Sequence, residues 1–318
     1  PFLQKFCQIF FSPSPFFLFF PCATLTTDQN GSQKGLETMV KIISDSTCDL
    51  SPQLLKEHDI GLIPLIVVKG NEEFLDGVTI TPADVFAHVA AGGNLCSTAA
   101  RGISVFQEKF AMYAKDYDGV IHINISSFFS SSYQNACIAA ADFDNVRVID
   151  SRNLSTGQGL VVLKACELAK TATNLDELKR QLDDFALRVE ASFVIDRLDY
   201  MVKGGRCSSV AALGANLLNL KPCIEVRGGK MSVVKKYRGH IEKCVAAYVK
   251  DRLKDRDDLD DNTVFITHTE IPQENIEAAQ AGIEKYHPFH HVYETVAGCT
   301  VSCHCGPGTL GVLFVRNK

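Results

Sequence analysis

From Val40 onward the chain alternates short apolar runs with amphipathic stretches, and no other feature restricts its fold as strongly. Apolar runs of about four to eight residues suit strands covered on both faces, and the helical periodicity between them suits the covering layers. Repeated along one chain, the two patterns specify an α/β protein. Val40 to Ser44 is the expected first strand, and Ser51 followed by Pro52 opens a helix through His58, because proline fits the first helical position. A buried strand is expected at Leu62 to Val68, a helix capped by Thr81 to about Ala91, and another helix over about Ser104 to Lys115. Val120 to Ile125 reads as a strand in which His122 and Asn124 alternate with isoleucines, Ser131 to Ala141 as a helix, and Val146 to Asp150 as a strand.

The rhythm then changes. Two helices, about Ser155 to Lys170 and Leu175 to Val189, follow one another with no strand between them. The expected division is therefore an N-terminal α/β domain over 39–155 and a C-terminal α/β domain over 156–318, which suits a chain of 318 residues. Beyond it come a strand at Ser192 to Ile195 and a helix at about Val210 to Leu218. A hairpin follows, in which Gly228 and Gly229 turn between Cys223 to Val226 and Met231 to Lys236. Helices at His240 to Leu253 and Asn275 to Tyr286 flank a strand at Val264 to His268, and Leu310 to Val315 closes the chain. Residues 1–38 read as an extension outside the fold. Their phenylalanine-rich run is broken by Pro13, Pro15 and Pro21, and Met39 stands directly before the first strand. An exported or targeted precursor is the alternative, since the run resembles a signal h-region.

Several function classes are disfavoured. A net charge of −5 without a Lys/Arg block argues against a partner held through nucleic-acid phosphates. No run of 18 apolar residues suggests a transmembrane helix. Cysteines such as Cys137, Cys166 and Cys244 fall in apolar helical patterns and read as small core residues, which favours a reducing cytoplasm. There is no GxxxxGK[ST] phosphate loop and no GxSxG nucleophile elbow. Gly306, Gly308 and Gly311 satisfy the dinucleotide spacing, but they precede a strand rather than a helix.

Three clusters of side chains carry candidate chemistry at expected element ends, where open α/β sheets place their ligands. Ser97 with Thr98 is one, and the run Ser126, Ser127, Ser130, Ser131 and Ser132 is the second. At a helix start such hydroxyls serve either as ordinary caps or as donors to an anion. The third is Cys303, His304 and Cys305 before Gly306-Pro307-Gly308. Cys299 lies nearby, but read as an extended segment the run points Cys303 and Cys305 away from His304 and contains no CxxC or HxxxH pair, so no metal is expected. His304 beside the glycines remains a candidate contact to a ligand. Asp45, Ser46, Thr47 and Asp49 read as an Asx turn beside a helix cap, with a carboxylate nucleophile as the rival.

Taken in order, several segments resemble the DegV family of bacterial fatty-acid-binding proteins, the acyl-carrying subunits of a two-component fatty acid kinase. They are Ile43-Ser44-Asp45-Ser46-Thr47, Ile63-Pro64-Leu65, Ser132-Tyr133-Gln134-Asn135-Ala136, Val148-Ile149-Asp150-Ser151, Leu198-Asp199-Tyr200, Lys203-Gly204-Gly205-Arg206, Leu220-Lys221-Pro222, Lys235 to Gly239, and His304-Cys305-Gly306-Pro307-Gly308-Thr309. The resemblance implies two α/β domains with a lipid tunnel between them. A long-chain fatty acid would be the ligand, with no cofactor, and its carboxylate would be held by Thr98 or Ser97, by Ser130 or Ser131, and by His304. Burial contributes about 0.8 kcal/mol per methylene, and the buried head needs paired hydrogen bonds to offset its desolvation. The implied partner is an ATP-dependent kinase subunit that forms acyl phosphate for phospholipid synthesis, so the chain would not be an enzyme by itself. Arg206 and Arg238 resemble exposed positions of partner contact.

The pattern is not followed everywhere. The usual threonine-serine-x-proline-serine segment appears as Cys96-Ser97-Thr98-Ala99-Ala100, which leaves the threonine register open by one residue. The usual leucine-serine-glycine-threonine-tyrosine appears as Phe129-Ser130-Ser131-Ser132-Tyr133, without the glycine. Two rival readings stand beside the carrier. One is a lipid hydrolase or acyltransferase with Ser130 or Ser131 as nucleophile and His304 as base. The other is a passive lipid store or sensor.

Overall fold

A computed structural model describes residues 39–212 and 220–317. The expected extension at 1–38 and most of the expected helix at 210–218 lie outside the described residues, and of the latter Ser208–Ala211 is helical.

The first sheet has four parallel strands in the order Gly61–Ile63, Val40–Asp45, Gly119–Asn124 and Val146–Asp150. Parallel neighbours need crossovers, and the helices Pro52–Glu57 and Ser132–Ala140 lie within two of them. Ser51 caps the first of these helices through its side chain, with Pro52 in the first turn, as its sequence predicts. Gly119–Asn124 is buried along its whole length. Its His122 packs against Phe106 and Phe110 with ring centroids 5.4 and 5.5 Å away. Burial pushes that imidazole down to about 3, so it is a neutral core side chain at neutral pH.

A second sheet has six strands in the order Lys230–Arg238, Leu220–Arg227, Val189–Val194, Leu310–Arg316, Leu259–His268 and His291–Val296. All its pairs are antiparallel except the last. Gly228 and Gly229 both adopt positive φ, 56° and 84°, which is the twist a two-residue hairpin turn requires.

One expected strand is two. Leu62 to Val68 divides at Pro64, where the missing N–H cannot serve a ladder. Gly61–Ile63 stays in the parallel sheet, while Ile66–Lys69 becomes the middle strand of a small antiparallel sheet between Glu72–Leu75 and Ser97–Ala99.

The helix Ser155–Ala169 joins the layers. Its first eight residues are buried. Gln158 Nε2 donates to Ser44 Oγ and Asp45 Oδ1 of the parallel sheet, both at 2.9 Å. On the other side Thr156 Oγ1 bonds Thr267 Oγ1 of the six-stranded sheet at 2.5 Å. Close approach depends on Gly159, where a Cβ would stand 2.8 Å from the Cys48 carbonyl oxygen. One apolar core accordingly runs from Ile42 and Ile121 through Leu160 and Val161 to Phe193 and Leu313.

The segment around His304 departs from expectation. Cys299–Cys305 is a helix rather than an extended run. Its threonine, valine and cysteines have little helical preference, and its N-cap residue Gly298 has no side chain to cap with. The first N–H groups are instead satisfied by carboxylates more than two hundred positions away: Gly298 N donates to Asp49 Oδ1 at 2.9 Å and Cys299 N to Asp76 Oδ1 at 2.9 Å. The facing argument made for Cys303, His304 and Cys305 therefore does not hold. Cys299 and Cys303 pack with Cys96 and Tyr200 in a small apolar cluster.

Candidate functional site

The small sheet, the serine-rich loop and the helix Cys299–Cys305 converge on one cavity. Thr98, Ser130, Arg206, Thr300 and His304 are its polar lining. Leu65, Ile125, Phe129, Leu154, Met201, Met231 and Val301 supply most of the apolar wall. Leu154, Val301 and Cys305 also line a second, smaller pocket together with Phe193, Thr267, His268, Ala297 and Leu313. The two spaces thus share three wall residues, and Thr98, Ser130 and His304 line the first of them.

Strand alternation decides which hydroxyl of the first cluster faces in. Thr98 pairs with Val67 and lines the cavity, whereas Ser97 is exposed on the opposite face. In the second cluster Ser130 lines the cavity and Ser131 is exposed. The cap reading of these serines also has substance, though at Ser130 rather than at Ser131. Ser130 Oγ accepts from Ser132 N at 3.1 Å and donates to Ser132 Oγ at 3.0 Å, while Ser131 in the N-cap position makes no side-chain cap bond. The other serines of the run hold the loop: Ser126 Oγ donates to the Gly229 carbonyl at 2.9 Å, and Ser127 Oγ to Asp150 Oδ2 at 2.6 Å.

His304 is the centre of the polar end. Its Nε2 and Thr98 Oγ1 form a hydrogen bond of 2.8 Å. Burial, with a smaller contribution from the Arg206 guanidinium, pushes the imidazole down to about 4, so the ring is neutral at pH 7. Its Nδ1 is buried without a partner and packs on the backbone at Gly204, where a Cβ would come within 2.3 Å. The run Lys203-Gly204-Gly205-Arg206 acquires a physical meaning here. Gly204 leaves room for the ring, and Gly205 at φ 67° ends the helix Leu198–Gly204. Arg206 then folds back, donating from NH1 to the Gly204 carbonyl at 2.7 Å and from Nε to the Phe129 carbonyl at 3.4 Å. Arg206 stands exposed at the rim, and Arg238, exposed at the end of its strand, does not line the cavity.

The arrangement suits an amphiphile better than it suits acyl transfer. A nucleophilic serine needs a base within hydrogen-bond reach and an acid behind that base. Ser130 is bonded to Ser132, His304 to Thr98, and Nδ1 meets no carboxylate among the described residues. Two hydroxyls, a neutral imidazole and a guanidinium at the rim can instead solvate an anionic head, while the apolar wall takes a chain.

Sequence reasoning overlooked Thr300, because only a helix puts it one turn before His304 on the same face. It also took Asp49 for part of a local turn. The Asx turn itself is present, with Asp45 Oδ1 accepting from Thr47 N at 3.0 Å. Asp49, however, accepts from Ser155 Oγ at 2.6 Å as well as from Gly298 N, and burial pushes its carboxyl up to about 8.

Comparison with known proteins gives one consistent family. The profile described as "Uncharacterised protein, DegV family" matches residues 39–317. A DegV domain-containing protein of Clostridium acetobutylicum is 33% identical over 279 residues, covering 87% of this chain and 98% of the relative. The structure of a DegV lipid binding protein from Thermotoga maritima superposes with a TM-score of 0.77 at 26% identity, covering 88% of this chain and all of the other. That of DegV, a fatty acid binding protein from Bacillus subtilis, superposes with a TM-score of 0.72 at 25% identity over the same shares.

Proposed function

Because the chain belongs to the DegV family, we propose that it binds a long-chain fatty acid in the cavity beneath His304 and presents the carboxylate to a separate ATP-dependent kinase subunit. The observation that carries this reading is a cavity with a polar edge lying beside a second, mainly apolar pocket. Thr98, Ser130 and His304 line one cavity, and Leu154, Val301 and Cys305 stand between it and a second pocket whose exposed surface is mainly apolar. In this reading the division into domains at 39–155 and 156–318 places the ligand where the two halves meet.

The carboxylate accepts from Thr98 and Ser130 and, in the tautomer that protonates it, from His304 Nε2. Its negative charge raises the imidazole from its depressed value, so acid and histidine share a proton more readily than either would alone. Arg206 at the mouth contributes long-range attraction and stands where a partner supplying the phosphoryl group would approach. With Arg238 it belongs to the contact face in this reading. The protein thus aligns the acceptor oxygen and excludes water from the acyl chain, and the partner brings ATP. The fatty acid is the ligand, and no cofactor is assigned.

Native mass spectrometry of the protein purified from cells, followed by lipid extraction, tests the first half. About one fatty acid per chain is expected, lost on delipidation and regained from added palmitate or oleate. No extracted fatty acid, together with no binding at micromolar palmitate or oleate, would refute it. The second half is tested by mixing loaded protein with a fatty acid kinase subunit and ATP and following acyl phosphate. A loaded protein that is never phosphorylated would leave a lipid store in place of a carrier.

A further inference from the structure

The hydrogen bond between Thr98 and His304 joins elements far apart in the sequence, so something must hold them in register. Asp76 does this from behind. It follows directly on the strand Glu72–Leu75, and its N–H donates to the Leu65 carbonyl at 3.0 Å. Leu75 pairs with Ile66 of the middle strand, and Thr98 pairs with the adjacent Val67 from the other side. Asp76 is therefore anchored on the same three-stranded sheet that contains Thr98.

The Asp76 carboxylate is 3% exposed and makes four hydrogen bonds. Oδ1 accepts from Cys299 N at 2.9 Å, while Oδ2 accepts from Thr300 N at 3.1 Å, Thr300 Oγ1 at 2.6 Å and Ser46 Oγ at 3.0 Å. It grips two N–H groups at the start of the helix whose next turn presents His304. The same sheet thus sets both ends of the Thr98–His304 contact. Gly298 is part of the arrangement, because a Cβ there would stand 2.9 Å from Asp49 Oδ1 and 3.4 Å from Asp76 Oδ1.

We propose that Asp76 is a positioning residue for the head-group site: by clamping the start of the helix Cys299–Cys305 to the sheet that carries Thr98, it fixes His304 against Thr98 and so sets recognition of the carboxylate. Asp76 does not itself line the cavity; it bonds the wall residues Leu65 and Thr300 and acts on His304 through the helix that carries Thr300. The role in recognition rests on the fatty-acid reading, whereas the placement of the ring does not.

Two measurements separate these. The ring resonances of His304 are recorded by nitrogen-detected NMR on ligand-free wild-type protein, Asp76→Asn and Gly298→Ala. An asparagine can keep one acceptor but loses the second arm of the clamp, and the alanine, whose Cβ would stand 2.9 Å from Asp49 Oδ1, disturbs the same helix start from the neighbouring carboxylate. Shifted His304 resonances in both variants are expected while the far-ultraviolet spectrum stays native. Unmoved resonances overturn the proposal whether or not the protein binds fatty acids. The second measurement compares palmitate with hexadecanol. Asp76→Asn should weaken the acid roughly tenfold, the lower end of the range for a charge-assisted hydrogen bond, and leave the alcohol within a factor of about two. An equal loss for acid and alcohol would make Asp76 a general structural residue and sink the positioning role. Failure of wild-type protein to bind palmitate would count against the proposed function, while the resonance shifts would still decide the positioning.

Discussion

Replacing Thr98 with valine removes one oxygen and keeps the branched shape of the side chain. The strand Ser97–Ala99 should survive, since valine suits a strand at least as well as threonine. What is lost is the 2.8 Å partner of His304 Nε2. The ring already has an unpartnered Nδ1, so in Thr98→Val both nitrogens are buried without a bond. An orphaned buried polar group costs about 1 to 3 kcal/mol, which for a fold of this size lowers the melting temperature by about 2 to 4 °C per kcal/mol. Ligand binding should suffer separately. A carboxylate loses one hydroxyl donor and meets a histidine free to rotate, a charge-assisted loss of about 1.5 to 3 kcal/mol, or roughly ten- to a hundredfold in affinity. Titration with a fluorescent fatty acid, and competition by palmitate and hexadecanol, would measure it. The acid should weaken and the alcohol should not. Ser97→Ala is the internal comparison, because Ser97 is exposed on the other face. Wild-type acid affinity in Thr98→Val, or a loss in Ser97→Ala instead, would refute the assignment of the carboxylate to this hydroxyl.

Ser130→Ala should weaken acid binding and, because Ser130 Oγ also accepts from Ser132 N, cost about 1 kcal/mol of stability, while Ser131→Ala should do neither; thermal melts and the same titration check both. Val301→Phe fills the wall between the two chambers, so affinity for palmitate should fall by about 3 kcal/mol if about four methylenes are excluded, with decanoate little changed. Equal loss for both acids would show that the second pocket takes no part. Asp49 titrates near 8 in the fold against an ordinary 3.8, so its contribution is fully present below the lower value and lost as pH rises through the upper one. Urea unfolding between about pH 6 and about pH 9 should show wild-type stability falling by up to about 1.4 kcal/mol per pH unit more than that of Asp49→Asn. Parallel curves would mean that Asp49 is already ionised at neutral pH.

Local patterns determined much of this fold. Ser51-Pro52 and Thr81 fix helix starts through bonds within a few residues, and the Gly228-Gly229 turn fixes its hairpin, so each was legible in the sequence. The ordered motifs also carried the family, and they brought Thr98, Ser130 and His304 forward as candidates. The choice within each pair was not legible. Whether Ser97 or Thr98 lines the cavity depends on which face of a three-residue strand turns inward, and on a small sheet created when Pro64 redirects the chain. Whether Ser130 or Ser131 lines the cavity depends on where the helix Ser132–Ala140 begins. The helix carrying His304 has no local cap at all. Asp49 and Asp76 supply its missing acceptors from across the chain, and a window of neighbouring residues contains neither. Sequence therefore named the chemical groups, because side-chain chemistry is local. Their register belonged to the tertiary structure, because hydrogen-bond partners more than two hundred residues apart meet only when the layers pack.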